Sequence, residues 1–398
     1  MIVQKETATK GRELFGSSDH ISVDRALAEF RCGRPVIFES ERETLIALPV
    51  EKIDAARCAA FAACCAPAAP FLAVTRQRAE VLGLPSAGPL ALKLEPTDGV
   101  DDILSLAAAP KIDIVGGPEP LAALALGPAA EAALTLAKLL RFLPAVLAAP
   151  ADGAAMSLGD NAFGDMAFGN MALVRVRAQA VDDFRSNLAA SLKMTVEADV
   201  PLQDGVTGRF VVFTDLLVRT QTAVVVGAPN FTKPVPVRLH SACLTGDVFG
   251  SRRCDCGDQL RLSLKRLHEA GGGVVLYLAQ EGRGLGLANK IRAYRLQDEG
   301  LDTMDANTTL GFEHDERDYS IAAAMLKMLG CRSVLLLSNN PAKISGLDQS
   351  GIEVAGHMPL VAPVTADNRR YLATKAARAG HRLDVLGDDL NNDSGFSP

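Results

Sequence analysis

The chain has 398 residues, with 41 Lys and Arg against 47 Asp and Glu, and 48% of its residues are hydrophobic. At about 100–200 residues per domain, this length predicts two or three domains, and the apolar fraction excludes a disordered chain. The net charge of −6 argues against a nucleic-acid groove as the main function. A few local Arg and Lys side chains could still hold a nucleotide phosphate.

The sequence predicts neither a secretion signal nor a membrane span. Residues 1–16 lack the apolar segment of a signal peptide. The most apolar stretch, residues 120–150, is interrupted by Gly127-Pro128, Glu131 and Lys138, so it contains no run of about 18 apolar residues. Eight cysteines are too few for a disulfide scaffold, and their thiols are expected to be reduced. These features predict a cytoplasmic protein with no membrane partner.

The first half of the chain is predicted to be an α/β unit. Hydrophobic periodicity indicates a helix over residues 23–30, strands over 36–38 and 71–74, and a short helix over 76–82. The Ala- and Leu-rich residues after Gly127-Pro128 predict one or two core-facing helices. Cys58, Cys64 and Cys65 have no ligand-spaced partners and are predicted to be small buried hydrophobes.

The second half of the chain is predicted to be a further α/β domain with a β-rich start. A Gly-, Asp-, Asn- and Met-rich segment over residues 152–170 indicates a flexible loop. Strands are predicted over residues 210–213, 223–226, 235–239, 273–278 and 333–337, and helices over 258–270 and 319–329. The alternation indicates an α/β (α+β) fold in two domains, residues 1–194 and 195–398.

Three cysteines of the second half, Cys243, Cys254 and Cys256, lie within fourteen residues of one another. Zinc prefers thiolate and imidazole ligands, and three protein ligands leave the fourth tetrahedral position for water. The spacing therefore predicts an open, catalytic zinc site, whereas His240 as a fourth ligand would make it a closed, structural one. A zinc-bound water has its pKa lowered to about 7 and can attack an electrophilic carbon at neutral pH.

Three polar segments follow strands or open helices in the same half. They are residues 280–287 (QEGRGLGL), 315–319 (DERDY) and 338–343 (SNNPAK). The first is a Gly-rich turn that could present backbone N–H groups to a phosphate, and Arg283 favours anion binding there. Each segment also has an ordinary structural explanation, such as an acidic first turn that complements a helix dipole. Ligands collect at such strand ends in open α/β sheets, which favours one shared binding site.

These segments together resemble GTP cyclohydrolase II. The runs VRLHSACLTGDVFGSRRCDCGDQL, LAQEGRGLGLANKIRAYRLQDEGLDT, LGFEHDERDYSIAAAMLKMLG and LLSNNPAKISGL match that family in order and spacing over about residues 195–385. The resemblance implies hydrolysis of GTP to formate, diphosphate and 2,5-diamino-6-ribosylamino-4(3H)-pyrimidinone 5′-phosphate, the first step of riboflavin biosynthesis. It also implies a homodimer.

The resemblance further implies roles for individual residues. Cys243, Cys254 and Cys256 would hold one Zn²⁺ per chain, with Mg²⁺ on the GTP phosphates. Asp315 would be the proton acceptor, Tyr294 would lie near the base, and Arg317 would be the nucleophile on the α-phosphate or an electrostatic stabiliser of it. GTP contacts would come from Arg238, His240, Ser241, Gln259, Glu281, Gly282, Arg283, Thr303, Ser338 and Lys343.

Three positions depart from the family pattern. Ala242 stands where the family commonly has Glu, Ala279 where it commonly has Arg, and Ser338 where it has Thr. Loss of both partners of an ion pair costs less than loss of one, so the two alanines are consistent with a compensated pair. They are equally consistent with a paralogue of altered product or substrate, or with a non-catalytic GTP-binding regulator. A purely structural zinc module is a further alternative.

The N-terminal half resembles 3,4-dihydroxy-2-butanone 4-phosphate synthase over residues 30–37 and 73–85. The dense acidic segment that this family has after its first strand is shortened here to residues 39–47 (ESERETLIA). The later Gly-His-Thr-Glu element is missing, and residues 127–131 (GPAAE) stand near its place. Without a carboxylate cluster for a divalent metal the synthase chemistry has no means to proceed. We expect a non-catalytic remnant, with a surviving synthase activity as the alternative.

Overall fold

The computed structural model describes residues 16–84, 86–110, 120–151, 173–338 and 340–360. The chain divides into two compact units, Met1–Ser186 with Ile291–Asp315, and Asn187–Lys290 with Glu316–Pro398. Residues 291–315, which the sequence placed in the second domain, therefore belong to the first unit. The loop predicted over residues 152–170 lies outside the described residues. Among those residues, no helix combines the length and apolar content needed to cross a membrane.

The first unit is built on a seven-stranded sheet in the order β5-β4-β3-β6-β2-β1-β7. Its strands are β1 (Val36–Glu39), β2 (Thr44–Pro49), β3 (Phe71–Val74), β4 (Leu90–Lys93), β5 (Pro120–Ala125), β6 (Ala145–Pro150) and β7 (Arg175–Arg177). Its helices are α1 (Ser18–Cys32), α2 (Ala55–Cys65), α3 (Arg76–Val81), α4 (Val100–Ala108), α5 (Pro128–Leu139) and α6 (Ala178–Ser186). Neighbouring strands pair antiparallel except β1 and β7, which are parallel.

Local sequence explains the boundaries of α1. The Ser17 side chain accepts a hydrogen bond from the His20 N–H at the start, and Gly33 ends the helix with a φ of 71°. The core face is formed by residues at helical spacing, among them Val23, Leu27 and Phe30. The helix predicted over residues 23–30 is confirmed and is longer at both ends.

The Ala- and Leu-rich segment gives one helix and one strand, where one or two helices were expected. Helix α5 begins at Pro128, a residue suited to the first helical position. Strand β6 pairs with β2 on one side and β3 on the other, and nearly all of its residues are buried. A strand buried on both faces is continuously apolar, so its sequence cannot be told from that of a buried helix by periodicity.

Arg78 of α3 connects the segment Ile291–Asp315 to the rest of the first unit. Arg78 is 1% exposed and donates to the carbonyl oxygens of Leu106 (2.7 Å), Ser105 (2.9 Å) and Thr309 (2.9 Å). Thr309 ends helix α10 (Thr303–Thr309), which lies inside that segment. Burial lowers the pKa of Arg78 to about 10, and the three carbonyls supply the acceptors that a buried guanidinium needs.

The second unit is built on a seven-stranded sheet in the order β14-β13-β11-β12-β10-β9-β8. Its strands are β8 (Lys193–Pro201), β9 (Thr207–Thr214), β10 (Thr220–Gly227), β11 (Val235–Ser241), β12 (Gly272–Leu278), β13 (Ser333–Leu337) and β14 (Glu353–Met358). Its helices are α7 (Leu244–Asp247), α8 (Cys256–Glu269), α11 (Ser320–Met328) and α12 (Pro341–Gln349), and α9 (Leu287–Asp298) crosses the division between the units.

The parallel part of this sheet positions the polar segments. Strands β12, β11, β13 and β14 are parallel, whereas β8, β9, β10 and β12 pair antiparallel in that order. In the β11–β12 register Ser241 faces Leu278, so the carboxyl ends of these two strands are level. The residues that follow them, Ala242 and Ala279, therefore begin two adjacent loops at one edge of the sheet.

Candidate metal and nucleotide site

The three predicted cysteines converge at the carboxyl end of β11. Cys243 follows the strand, Cys254 lies in the next loop and Cys256 begins α8, and their sulfur atoms all lie within 4.8 Å of one another. The Sγ atoms of Cys243 and Cys254 are 3.6 Å apart. Within the described ranges this is the one group of three or more His, Cys, Asp or Glu side chains that could hold a metal ion. Cys58, Cys64 and Cys65 belong to no such group, and of these only Cys65 is fully buried.

Packing around the sulfurs fits a metal centre. A Cβ atom at Gly246 would lie 2.8 Å from the Cys254 sulfur and 3.1 Å from the Cys243 sulfur, so only glycine leaves the cradle open. A hydrogen bond from the Cys254 thiol lowers the pKa of Cys243 well below its ordinary range, and the same contact raises the pKa of Cys254 to about 11. Crowded thiols that share protons in this way suit a soft dication, which binds the deprotonated sulfurs.

Lys290 brings a buried positive charge to this cluster. Its Nζ lies 3.0 Å from the Cys243 sulfur, 2.9 Å from Thr245 Oγ1 and 2.7 Å from Glu281 Oε1. The other oxygen of Glu281 accepts a hydrogen bond from the Leu244 N–H at 2.6 Å. The side chains of Lys290 and Glu281 are 10% and 9% exposed. These contacts make Lys290 part of the cysteine site.

Asp247 forms a second contact to the cluster, and sequence reasoning did not single it out. Its carboxylate accepts the Cys243 N–H at 2.9 Å, the Tyr277 hydroxyl at 2.8 Å and the His240 Nε2–H at 3.0 Å. The His240 and Tyr277 rings stack with centroids 5.5 Å apart. In the parallel register of β11 and β12 these two residues face each other. Burial lowers the pKa of His240.

His240 is therefore not a fourth ligand of the cysteine cluster. Its Nε2 is committed to Asp247, and among the described residues the metal-binding group contains the three cysteines alone. Three thiolates leave one tetrahedral position open. This geometry favours the open site over the closed alternative.

Arg238 and its neighbours form a buried polar group beside the parallel strands. The Arg238 guanidinium donates to the Leu337 carbonyl at 2.9 Å and to the Gln259 side chain. Burial lowers the pKa of Arg238 to about 10. Its Nε and the Ser241 hydroxyl are buried with no hydrogen-bond partner in the described part of the chain. Unsatisfied donors in a buried site point to a polar ligand.

Two further predicted contacts, Ser338 and Lys343, are buried and already hydrogen-bonded. The Ser338 hydroxyl accepts the Asn340 N–H at 3.0 Å, and the Lys343 ammonium group donates to the Leu239 carbonyl at 2.7 Å. Lys343 is 6% exposed, so its positive charge is buried in the second unit.

Several backbone N–H groups of the Gly-rich turn are hydrogen-bonded to carbonyls of the same turn. Gly282, Arg283, Gly284 and Gly286 all have positive φ, and Arg283 adopts 60° although it carries a side chain. The N–H groups of Gly284, Leu285 and Gly286 donate to carbonyls inside the turn. The prediction that this turn presents its N–H groups to a phosphate therefore fails at these three positions, because the tight turn consumes them.

The remaining predicted residues are divided between the units. Tyr294 is half-buried on α9, Thr303 begins α10 and Asp315 is exposed in the following loop, and all three belong to the first unit. Arg317 belongs to the second unit, where its guanidinium carbon lies 5.7 Å from the centroid of the Tyr319 ring. The residues that the structure brings together around Cys243 are thus Cys254, Cys256, Glu281, Lys290 and Asp247.

Known proteins resemble the chain over nearly its whole length. The model of the family described as GTP cyclohydrolase II matches residues 193–359. A GTP cyclohydrolase-2 of Azospirillum brasilense is 42% identical over 368 residues, which cover 90% of this chain and 93% of the relative. A GTP cyclohydrolase-2 of Xylella fastidiosa is 40% identical over 93% of this chain and 89% of the relative.

A second group of similar proteins matches about half of the chain. The riboflavin biosynthesis protein RibBA of Bacillus mycoides is 50% identical over 190 residues, or 48% of each chain.

A solved structure of a two-domain 3,4-dihydroxy-2-butanone 4-phosphate synthase from A. baumannii aligns with 15% identity and a TM-score of 0.30, too low to establish a shared arrangement.

Proposed function

Since this chain belongs to the GTP cyclohydrolase II family, whose members act in riboflavin biosynthesis, we propose that it hydrolyses GTP to the diaminopyrimidinone ribosylamino phosphate, formate and diphosphate in a zinc-dependent reaction. The observation that carries this proposal is the convergence of three cysteine sulfurs within 4.8 Å in a chain so similar to GTP cyclohydrolase-2. A cytoplasmic location and a homodimer stay predictions from sequence.

Cys243, Cys254 and Cys256 would hold the zinc ion, with the fourth position open. Bound there, the metal would supply Lewis-acid chemistry and a water of lowered pKa for attack on the purine carbon. Asp247 and Lys290 fix Cys243 through its backbone N–H and its sulfur. Zinc fits this donor set because thiolates are its preferred ligands.

The buried cations of the second unit would bind the anionic part of GTP. Arg238 keeps an unpaired Nε–H, and the buried Lys343 ammonium group adds a second positive charge. Arg317 would stabilise the α-phosphate electrostatically, since a guanidinium stays protonated. Mg²⁺ would be held by the GTP phosphates. Asp315 as proton acceptor and Tyr294 near the base complete the proposed set.

Ala242 and Ala279 support a compensated loss of an ion pair. They follow the adjacent parallel strands β11 and β12, and the Ala242 N–H donates to the Leu278 carbonyl at 2.8 Å. A carboxylate and a guanidinium at two such neighbouring positions would pair with each other. Removal of both leaves no buried charge unpartnered, so we expect catalysis to survive.

The N-terminal unit is proposed to lack synthase activity. The Glu43 carboxylate accepts N–H bonds from Gly127 (2.8 Å), Ala129 (3.1 Å) and Ala130 (3.2 Å), and so caps the start of α5. Glu39 pairs with Arg175 at 2.6 Å. Both carboxylates thus have structural partners within the unit, which supports a non-catalytic role.

The cyclohydrolase proposal is tested with the purified full chain, GTP and Mg²⁺. Formate, diphosphate and the pyrimidine are each quantified, and zinc is measured in the same sample. We expect equal yields of formate and diphosphate with about one zinc per chain. Cys254→Ser should lose zinc and turnover together, whereas Cys32→Ser, a change at an exposed cysteine, should keep both. Diphosphate without formate would contradict the proposed ring opening, and GTP binding without turnover would indicate a regulator.

The same preparation tests the N-terminal unit. We expect no 3,4-dihydroxy-2-butanone 4-phosphate when the full chain is given Mg²⁺ and the synthase substrate, because the carboxylates are engaged in structural contacts. Formation of that product, and its loss in Glu43→Gln, would overturn this proposal.

A further inference from the structure

The Asp247 side chain collects three hydrogen-bond donors in a buried place. It is 3% exposed, and it accepts from Cys243, His240 and Tyr277 at 2.8 to 3.1 Å. One donor is the backbone of a cysteine in the metal-binding group, and another is a ring proposed to contact GTP.

The directions of these bonds fix the chemistry of the His240 ring. The Cys243 N–H and the Tyr277 hydroxyl donate, and the carboxylate has only acceptor oxygens, so His240 must carry a hydrogen on Nε2. In a neutral imidazole the other nitrogen, Nδ1, is then an acceptor. A partner of Nδ1 must accordingly offer an N–H or O–H.

Tyr277 limits the ring to one orientation. The two rings are nearly parallel, with an interplanar angle of 20°, and the Tyr277 hydroxyl reaches the same carboxylate that holds His240. Burial raises the pKa of Tyr277, which keeps its hydroxyl a donor. Stacking and hydrogen bonding thus resist both tilting and flipping of the imidazole.

We propose that Asp247 is a positioning residue that couples the metal ligand Cys243 to His240 and sets His240 as an acceptor, through Nδ1, toward a donor group of the substrate. The coupling to Cys243 needs only the contacts in this structure, whereas the role toward substrate rests on the proposed GTP hydrolysis. Outer-shell partners of this kind typically change metal affinity or activity by about 10- to 100-fold.

The test compares Asp247→Asn with Tyr277→Phe and with Asp258→Asn. Asp258 is a control on the same part of the chain, because it is half-exposed and pairs with Arg261 on the surface of α8. Zinc retention is measured by competition with a chromophoric chelator. The tautomer of His240 is read from the ¹⁵N chemical shifts of its ring. The chain has only six histidines, so the His240 signal is assigned as the one missing from the spectrum of His240→Gln. The kcat and KM for GTP are measured separately.

We expect Asp247→Asn to weaken zinc retention and lower kcat/KM by about 10- to 100-fold, and to lose the Nε2–H signature of His240. Tyr277→Phe removes one of the three donors and should keep the fold and give a smaller loss. Asp258→Asn should match the unsubstituted chain.

Two results would overturn the proposal. One is Asp247→Asn with unchanged zinc retention and an unchanged His240 tautomer. The other, should Asp247→Asn not fold, is Tyr277→Phe with unchanged His240 shifts and kcat/KM. If the unsubstituted chain does not turn over GTP, the proposed function fails, but zinc retention and the ¹⁵N shifts still decide the role of Asp247.

Discussion

Lys290 shows how a single buried charge can depend on its partners. Its ammonium group lies between the Cys243 sulfur and the Glu281 carboxylate, and both charged side chains are about nine-tenths buried. A buried ion pair adds little net stability compared with apolar residues, but removal of one partner leaves the other charge unpaired in a poorly solvated place. The pair is therefore sensitive to single substitutions.

We predict that Lys290→Met lowers the free energy of unfolding by about 3 kcal/mol, because Glu281 loses its cation. Urea denaturation of preparations with matched zinc content measures the change. Lys265→Met is the matched control, since Lys265 is 70% exposed and lies 3.9 Å from Glu269. The double variant Lys290→Met/Glu281→Gln should lose less than the sum of its single variants. Equal stability of Lys290→Met and Lys265→Met would contradict the prediction.

At the scale of elements, helix ends hold the first unit together. Arg78 on α3 bonds the carbonyls of Ser105 and Leu106 on α4 and of Thr309 at the end of α10. The last carbonyls of a helix lack intrahelical partners and carry the negative end of its dipole. One guanidinium, with five donors in a fixed fork, serves two such ends.

Arg78→Met should therefore destabilise the chain by about 2–4 kcal/mol, because the carbonyls of Leu106 and Thr309 lose the Arg78 donor, whereas that of Ser105 keeps the Ala109 N–H. The midpoint of urea denaturation reports the loss. Arg76 lies on the same helix and pairs with Glu80 at the surface, so Arg76→Met should cost at most about 1 kcal/mol. A loss for Arg78→Met no larger than that for Arg76→Met would show that the three bonds add nothing.

At the scale of the whole molecule, each unit buries a thiol outside the cysteine cluster. Burial raises the pKa of Cys65 in the first unit to about 12 and that of Cys331 in the second to about 11, from an ordinary value of 9.0. A raised pKa in the folded state means that the unfolded chain releases the proton first. The stabilising contribution is therefore complete below pH 9 and is lost as the pH rises toward 11 or 12.

We predict that the free energy of unfolding falls between pH 9 and pH 11, and that Cys331→Ala reduces the steepness of this fall. The slopes of unfolding free energy against pH are compared, because the packing lost with the sulfur lowers stability equally at every pH and does not change the slope. Cys32→Ala, at an exposed cysteine, should leave the slope unchanged. An identical slope in Cys331→Ala and the unsubstituted chain would count against the burial of this thiol.

Several features of the fold and the site could be predicted from sequence because they depend on neighbours along the chain. The strand Phe71–Val74, the helix that begins at Arg76 and the strand Ser333–Leu337 were expected from local patterns and are present. The cysteine cluster was also foreseeable, since Cys243, Cys254 and Cys256 are close in sequence and glycines let the loop close.

Only the tertiary structure decided the partners of these residues. In the sequence His240 was either a metal ligand or a GTP contact. The parallel register sets it opposite Tyr277, and its Nε2 bonds the Asp247 carboxylate, which the sequence did not indicate. Arg78 meets Thr309, a residue 231 positions away, and so draws residues 291–315 into the first unit. Strand pairing brings together residues that are remote in sequence. A local pattern can indicate a strand and its buried face, but it does not say which strand it pairs with. Local sequence thus determines the cysteine cluster and many of the helices and strands, whereas the contacts that orient the cysteines depend on how the strands pair.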